Sequence, residues 1–179
     1  MNLAIALFLV ISVSCSAYFF RPFERKINYF QIADNALKKY RPLRKDYVIV
    51  IDYSKNIFQK RLLVLDMKNT KVLLYSRVSH AWESGFLYPN RCSNVNGSEK
   101  TSKGNYCTEE TYTGKYGYSM YVKGLDKGIN EQARNRAIVF HSDEKMKSRW
   151  SNGCFATPEK INQKIIELTN NGCLVCVVD

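Results

Sequence analysis

A histidine at 141 and a cysteine at 154 stand thirteen residues apart, and the cysteine closes the run Ser151-Asn152-Gly153-Cys154. A thiol attacks a carbonyl group when a base takes its proton, a third group orients that base, and donors receive the oxyanion. Candidates for these roles lie close together in the chain. His141 is the imidazole nearest the cysteine, the other being His80. Gly153 lets the backbone turn tightly, so that successive N–H groups can face a carbonyl oxygen. Cys154 also lies just ahead of a helix start, where positive potential favours a thiolate. Spacing alone leaves a second reading open, in which Cys154 is buried or disulfide-bonded and His141 is a hydrogen-bonded core residue.

The flanking sequence supplies the elements that would position this pair. Residues 137–141 (AIVFH) form a short apolar strand that delivers His141 at its end. Thr157, Pro158 and Glu159 read as N-cap, first helical residue and first-turn acid of a helix. Its buried stripe is Ile161, Ile165 and Leu168, and Asn171-Gly172 closes it. Residues 174–178 (LVCVV) read as a central strand. Upstream, residues 27–40 carry Ile27, Phe30, Ala33, Leu37 and Tyr40 at helical spacing, and Pro42 ends the pattern. Residues 47–53 read as a buried strand, and 61–66 with 71–78 as a hairpin. Residues 81–117 hold five of the nine glycines and are expected to form loops and short strands over the sheet. Residues 118–122 are one more strand. The expected class is mainly β (α+β), with a helix near each end of the folded part.

At 179 residues the chain is one domain's worth. Residues 1–17 read as a signal peptide: an eleven-residue apolar run from Leu3 to Val13, broken only by Ser12, then Cys15-Ser16-Ala17 as a cleavage site. A second reading makes Cys15 a lipidated residue. The expected division is therefore 1–17 leader, 18–46 helical segment and 47–179 main domain. The net charge of +11 draws the protein to polyanions. The basic residues are scattered, however, and no zinc-finger spacing, phosphate loop or ribonucleoprotein signature occurs, which argues against nucleic acid.

His-(short loop)-Ser-x-Gly-Cys resembles the signature of the L,D-transpeptidase catalytic domain. Residues 51–85, 93–141 and 151–158 together resemble its murein L,D-transpeptidase branch. The resemblance implies a β-sandwich or barrel-like domain with an N-terminal helix and another helix after the catalytic cysteine. It implies an exported acyltransferase of the periplasm or cell envelope, acting on peptidoglycan with a tetrapeptide stem as donor and an amine as acceptor. Cys154 would be the nucleophile and His141 the base. The carbonyl of Ser142 would orient the ring, and the N–H groups of Gly153 and Cys154 would hold the oxyanion. Ser151, Asn152, His80 and Tyr106 would contact the substrate or brace its loops, as would Ser93, Asn94, Ser98 and Ser102. The resemblance implies no cofactor and no metal. The protein is expected to be a monomer that touches the membrane only through its leader or a lipid anchor. Two features depart from the branch: the nine-residue loop between His141 and Ser151 is short, and Phe155 replaces a proline. A wall-binding protein that kept the fold without catalysis, and a carboxypeptidase using water as acceptor, are the alternatives. A papain-like peptidase has the reverse order of cysteine and histidine.

Four cysteines remain once Cys15 and Cys154 are set aside. Cys92 and Cys107 flank the Asn96-Gly97 turn region and are the candidate disulfide in an oxidising compartment. Cys173 and Cys176, three residues apart on a strand, point to opposite faces and read as small buried hydrophobes.

Overall fold

The computed structural model describes residues 27–143 and 149–179. The expected leader, the lipidation reading at Cys15 and most of the loop between His141 and Ser151 lie outside them. Helix α1 (Tyr29–Tyr40) starts at Asn28, whose side chain accepts from the Gln31 N–H, and ends at Arg41 in a left-handed conformation just before Pro42. Among the described residues ten strands follow: β1 (Tyr47–Asp52), β2 (Leu62–Asp66), β3 (Lys71–Ser76), β4 (His80–Ala81), β5 (Gly104–Gly114), β6 (Gly117–Gly124), β7 (Val139–Ser142), β8 (Trp150–Ser151), β9 (Phe155–Thr157) and β10 (Leu174–Val178). Helix α2 (Glu159–Thr169) joins β9 to β10.

Eight strands form one sheet in the order β3-β2-β1-β10-β5-β6-β7-β9, and β4 pairs with β8 in a separate parallel ribbon. The β1–β10 and β7–β9 pairs are parallel and the rest of the large sheet is antiparallel. Alternation along β1 explains how the sheet is covered. Val48 and Val50 face α1 with Ala33 and Ala36, whereas Ile49 and Ile51 face the core that includes Ile165 and Ile166 of α2. With both faces covered, β1, β2 and β10 read as continuous apolar runs. Cys173 and Cys176 are fully buried free thiols within this packing.

The fold is mainly β, as expected, with three differences in detail. Residues 104–114, expected as loops and short strands, form the eleven-residue strand β5 beside the central β10. Its glycines sit at the two ends, while Tyr106, Thr108, Thr111 and Tyr112 are good strand formers. Helix α2 starts at Glu159 without a side-chain cap, and Thr157 is the last residue of β9. Pairing of Thr157 with Ser142 and its complete burial outweigh the capping preference.

The third difference is that Cys92 and Cys107 are both free. The Cys92 thiol donates to the Pro89 carbonyl at 3.3 Å and lies near the Lys103–Asp179 ion pair. Cys107 sits on β5 opposite Leu174, four residues beyond Lys103, or about 13 Å along an extended chain. The loop after Cys92 returns at Thr101, whose carbonyl accepts from the Ser93 N–H at 3.0 Å, and β5 then carries Cys107 away from it.

Candidate active site

Strands β7 and β9 run side by side, with Phe140 opposite Phe155 and His141 opposite Ala156. Phe140 and Phe155 are fully buried and pack against each other at 4.9 Å between ring centroids. Alternation then sends His141 to the other face, and extension of the register puts Cys154 there too, opposite Val139. Adjacent parallel strands and a two-residue offset separate the Cα atoms of His141 and Cys154 by about 8 Å. Both side chains line one groove of about 650 Å³.

His141 is only 8 % exposed. Its Nδ1 lies 2.9 Å from the Ser142 carbonyl, which can only accept, so Nδ1 carries the proton and Nε2 keeps its lone pair. Burial lowers its pKa below the ordinary value, against the smaller opposing effects of the Ser142 carbonyl and Asp143. Tyr116, at the tip of the β5–β6 hairpin, stacks on the imidazole at 4.5 Å. The Ser142 hydroxyl donates to the Tyr116 carbonyl at 2.8 Å, which ties the tip down.

Cys154 is half-buried and unpaired, and its thiol donates to the Ala137 carbonyl at 3.5 Å. Burial pushes its pKa up, and the Val139 amide and the Arg136 guanidinium oppose that shift. The pair therefore rests as neutral thiol beside neutral imidazole. Two hydroxyls fix the backbone at this point, Ser151 and Ser79 donating to the Cys154 carbonyl at 2.8 and 3.0 Å. Ser79 also accepts from the Ala156 N–H at 3.0 Å.

Gly153 has φ +123°, a region L side chains rarely enter. Its N–H, expected to serve an oxyanion, already donates to the Ser151 hydroxyl at 3.2 Å. To serve an oxyanion, that N–H must exchange one acceptor for another. Asn152 is exposed on the groove and approaches Glu99 at 3.5 Å. At one rim Trp150 stacks on Phe86 and meets Trp82 edge-on, with its indole N–H bonded to the Phe86 carbonyl.

Two expected substrate contacts lie elsewhere. Tyr106 is fully buried, its hydroxyl donating to the Ser102 carbonyl at 2.9 Å, because β5 turns this ring into the core against Phe155. His80 is also fully buried, held between Arg61 and the Gly85 carbonyl at 2.8 and 2.7 Å. Arg61 only donates, so Nδ1 of His80 accepts and Nε2–H donates to Gly85. Burial and the adjacent guanidinium lower the His80 pKa to about 4. The unfolded chain takes up a proton near pH 6.5 and the folded chain only near pH 4, so this stabilising contribution is complete above 6.5. It declines as the pH falls from 6.5 towards 4. About 2.5 pH units correspond to about 3 kcal/mol. Urea titrations are expected to show that loss between pH 7 and pH 4.5 in the natural chain, and a correspondingly flatter profile in His80→Gln.

Sequence reading did not single out Tyr116, Ser79, Arg136 or Ala137. Each reaches the groove or its wall through pairings distant in sequence. Ala137, at the end of the turns of residues 126–137, adopts φ +52°, which its residue type does not announce.

Residues 20–177 match the L,D-transpeptidase catalytic domain family. No curated protein matches the chain. Among solved structures, a variant of the helical cell shape determining protein Pgp2 from Campylobacter jejuni is similar in fold. It has 13% identity and a TM-score of 0.53, over 84% of this chain and 56% of that one. An L,D-transpeptidase from Mycobacterium smegmatis has 11% identity and a TM-score of 0.47, over 74% of this chain and 58% of that one. This chain thus spans under three fifths of the length of either structure. With the family matched across most of its length, the chain belongs to the L,D-transpeptidase catalytic domain family.

Proposed function

We propose that this chain is an exported acyltransferase of the periplasm or cell envelope that acts on peptidoglycan stem peptides. Its nucleophile is Cys154. The observation that carries the reading is a free thiol and a Nδ1-protonated imidazole opening onto one groove. In the reaction, Nε2 of His141 accepts the thiol proton as sulfur attacks the carbonyl before the terminal D-alanine. The C–N bond breaks, the leaving amine takes the proton from His141, and a thioester remains. An amine of a second stem then attacks the thioester, gives up a proton to His141, and releases the sulfur to be reprotonated. Ser142 orients the base throughout. Ser151 and Asn152 line the groove, which supports a role for them in meeting the donor stem.

The groove suits an extended peptide, because its rim offers aromatic surface at Tyr116 and Trp150 together with Lys115, Asp143 and Glu159. The test is to incubate residues 18–179 with isolated sacculi and analyse the muropeptides. New stem-to-stem cross-links with release of D-alanine are expected. Binding to sacculi with an unchanged muropeptide pattern would overturn catalysis in favour of a wall-binding protein. D-alanine release without cross-links would make water the acceptor.

A further inference from the structure

Arg136 lies behind the candidate nucleophile and has an unusual set of partners. Its guanidinium donates to the Ser93 carbonyl and the Ser102 hydroxyl, both at 2.6 Å, and to the Ser98 hydroxyl at 3.4 Å. It also donates to the Lys100 carbonyl. All four acceptors are neutral. Among the described residues it forms no ion pair with a carboxylate. Arg134, two residues earlier, pairs instead with Glu109 and Glu110. The Arg136 side chain is half-buried, so its charge is both fixed and only partly screened by water.

Its location gives that charge a use. One of its terminal nitrogens lies 3.6 Å from where a Cβ on Gly153 would stand. The next residue in the chain, Ala137, supplies the carbonyl that meets the Cys154 thiol. The cation and the carbonyl that meets the sulfur thus belong to consecutive residues, both lying against the Gly153-Cys154 turn.

We propose that Arg136 is a positioning residue that supplies the standing positive charge for Cys154, favouring the anionic sulfur once His141 has taken its proton, while its hydrogen bonds clamp the 93–102 loop behind Gly153. Burial lowers the Arg136 pKa and raises that of Cys154, and against those larger effects the guanidinium pulls the thiol's pKa down while the sulfur pushes the guanidinium's up. Among the described residues, the other charged or titratable groups on the groove are His141, Lys115, Tyr116, Asp143 and Glu159. Lys115 and Glu159 belong to the exposed hairpin tip and the start of α2, where water screens them. Arg136 acts from the protein side.

The proposal rests on Cys154 being the nucleophile, but its test needs no wall substrate. The pH dependence of iodoacetamide alkylation at Cys154, followed by mass spectrometry of its peptide, is measured for the natural chain, Arg136→Gln and Arg136→Lys. Gln keeps hydrogen-bond donors and loses the charge; Lys keeps the charge and loses the fork. The midpoint is expected to rise by about one pH unit in Arg136→Gln and to stay within about 0.3 unit in Arg136→Lys. A Gln midpoint equal to that of the natural chain overturns the proposal, as does a Lys midpoint displaced as far as that of Gln. If Arg136→Gln does not fold, the Lys variant decides alone: a displacement of about one unit overturns the proposal. Failure of the sacculus experiment with these midpoints as expected would instead count against the substrate.

Discussion

His141→Gln is expected to slow acylation of Cys154 by a carbapenem about 1,000-fold at pH 7.5 and to change the shape of its pH profile. The resting thiol is protonated because burial raises its pKa above the ordinary value. Without the imidazole only the small spontaneous thiolate fraction reacts, so the rate of the variant should climb tenfold per pH unit up to the thiol's own pKa. The natural chain should instead hold a plateau through neutral pH. Its acid limb follows His141: the base works when neutral, so activity is present above the folded pKa and lost as the pH falls through it. Burial lowers that pKa, which moves the limb below the usual histidine range. Cys154→Ala should form no adduct at all. Adding His141→Gln to it should change nothing further, since two groups acting in one step do not contribute additively. Stopped-flow acylation with intact-mass detection reads all of these outcomes. A His141→Gln profile parallel to that of the natural chain would remove the imidazole from the mechanism.

Gly153→Ala is expected to damage stability and chemistry together. An added Cβ would stand 2.8 Å from Cδ1 of Ile138 and 3.3 Å from the Lys100 carbonyl, on backbone with φ +123°. The backbone term costs about 1–3 kcal/mol and no neighbouring side chain can relieve it. The Ile138 contact involves the end of a flexible side chain, so Ile138→Val in the same molecule should recover part of the lost stability. Activity should remain low in the double variant. Shifting Gly153 moves the next residue, and a displacement of about 1 Å at a reacting atom costs about 100-fold. Urea midpoints and acylation rates measured on the same preparations separate the two effects. Full activity in a stably folded Gly153→Ala would show that the turn at 153 does not set the position of the sulfur.

What the sequence made legible follows from the range of the interactions involved. β1, β2 and β10 are apolar on both faces, and α1 and α2 carry helical stripes, so local pattern alone was enough to read them. The Cys154 turn and the His141 strand end were legible because their spacing matches a known signature. β5 was hidden by its composition: Thr, Tyr, Asn and Glu between two glycines read as loop until β10 and β6 pair with both its edges. His80 and Tyr106 were read as substrate contacts because the family resemblance runs through them. Burial is decided by partners far away in the chain, Arg61 for the one and Phe155 for the other. The arginine just before the apolar run of β2 was the available hint, since a cation buried there requires acceptors such as the Val78 carbonyl, here at 2.8 and 3.1 Å. Tyr116 and Ser79 reach the site only through tertiary pairing, which no local window contains.

The S–H bond from Cys154 to the Ala137 carbonyl has a consequence for the lifetime of the protein. Peroxide and similar oxidants consume cysteine through its anion, and a sulfur kept protonated by burial and a carbonyl acceptor offers them little. Under the proposed mechanism the reactive form exists chiefly during turnover, when a bound acyl donor competes for it. If the protein is exported as proposed, such a centre would withstand an oxidising environment between reactions without a reductase to restore it.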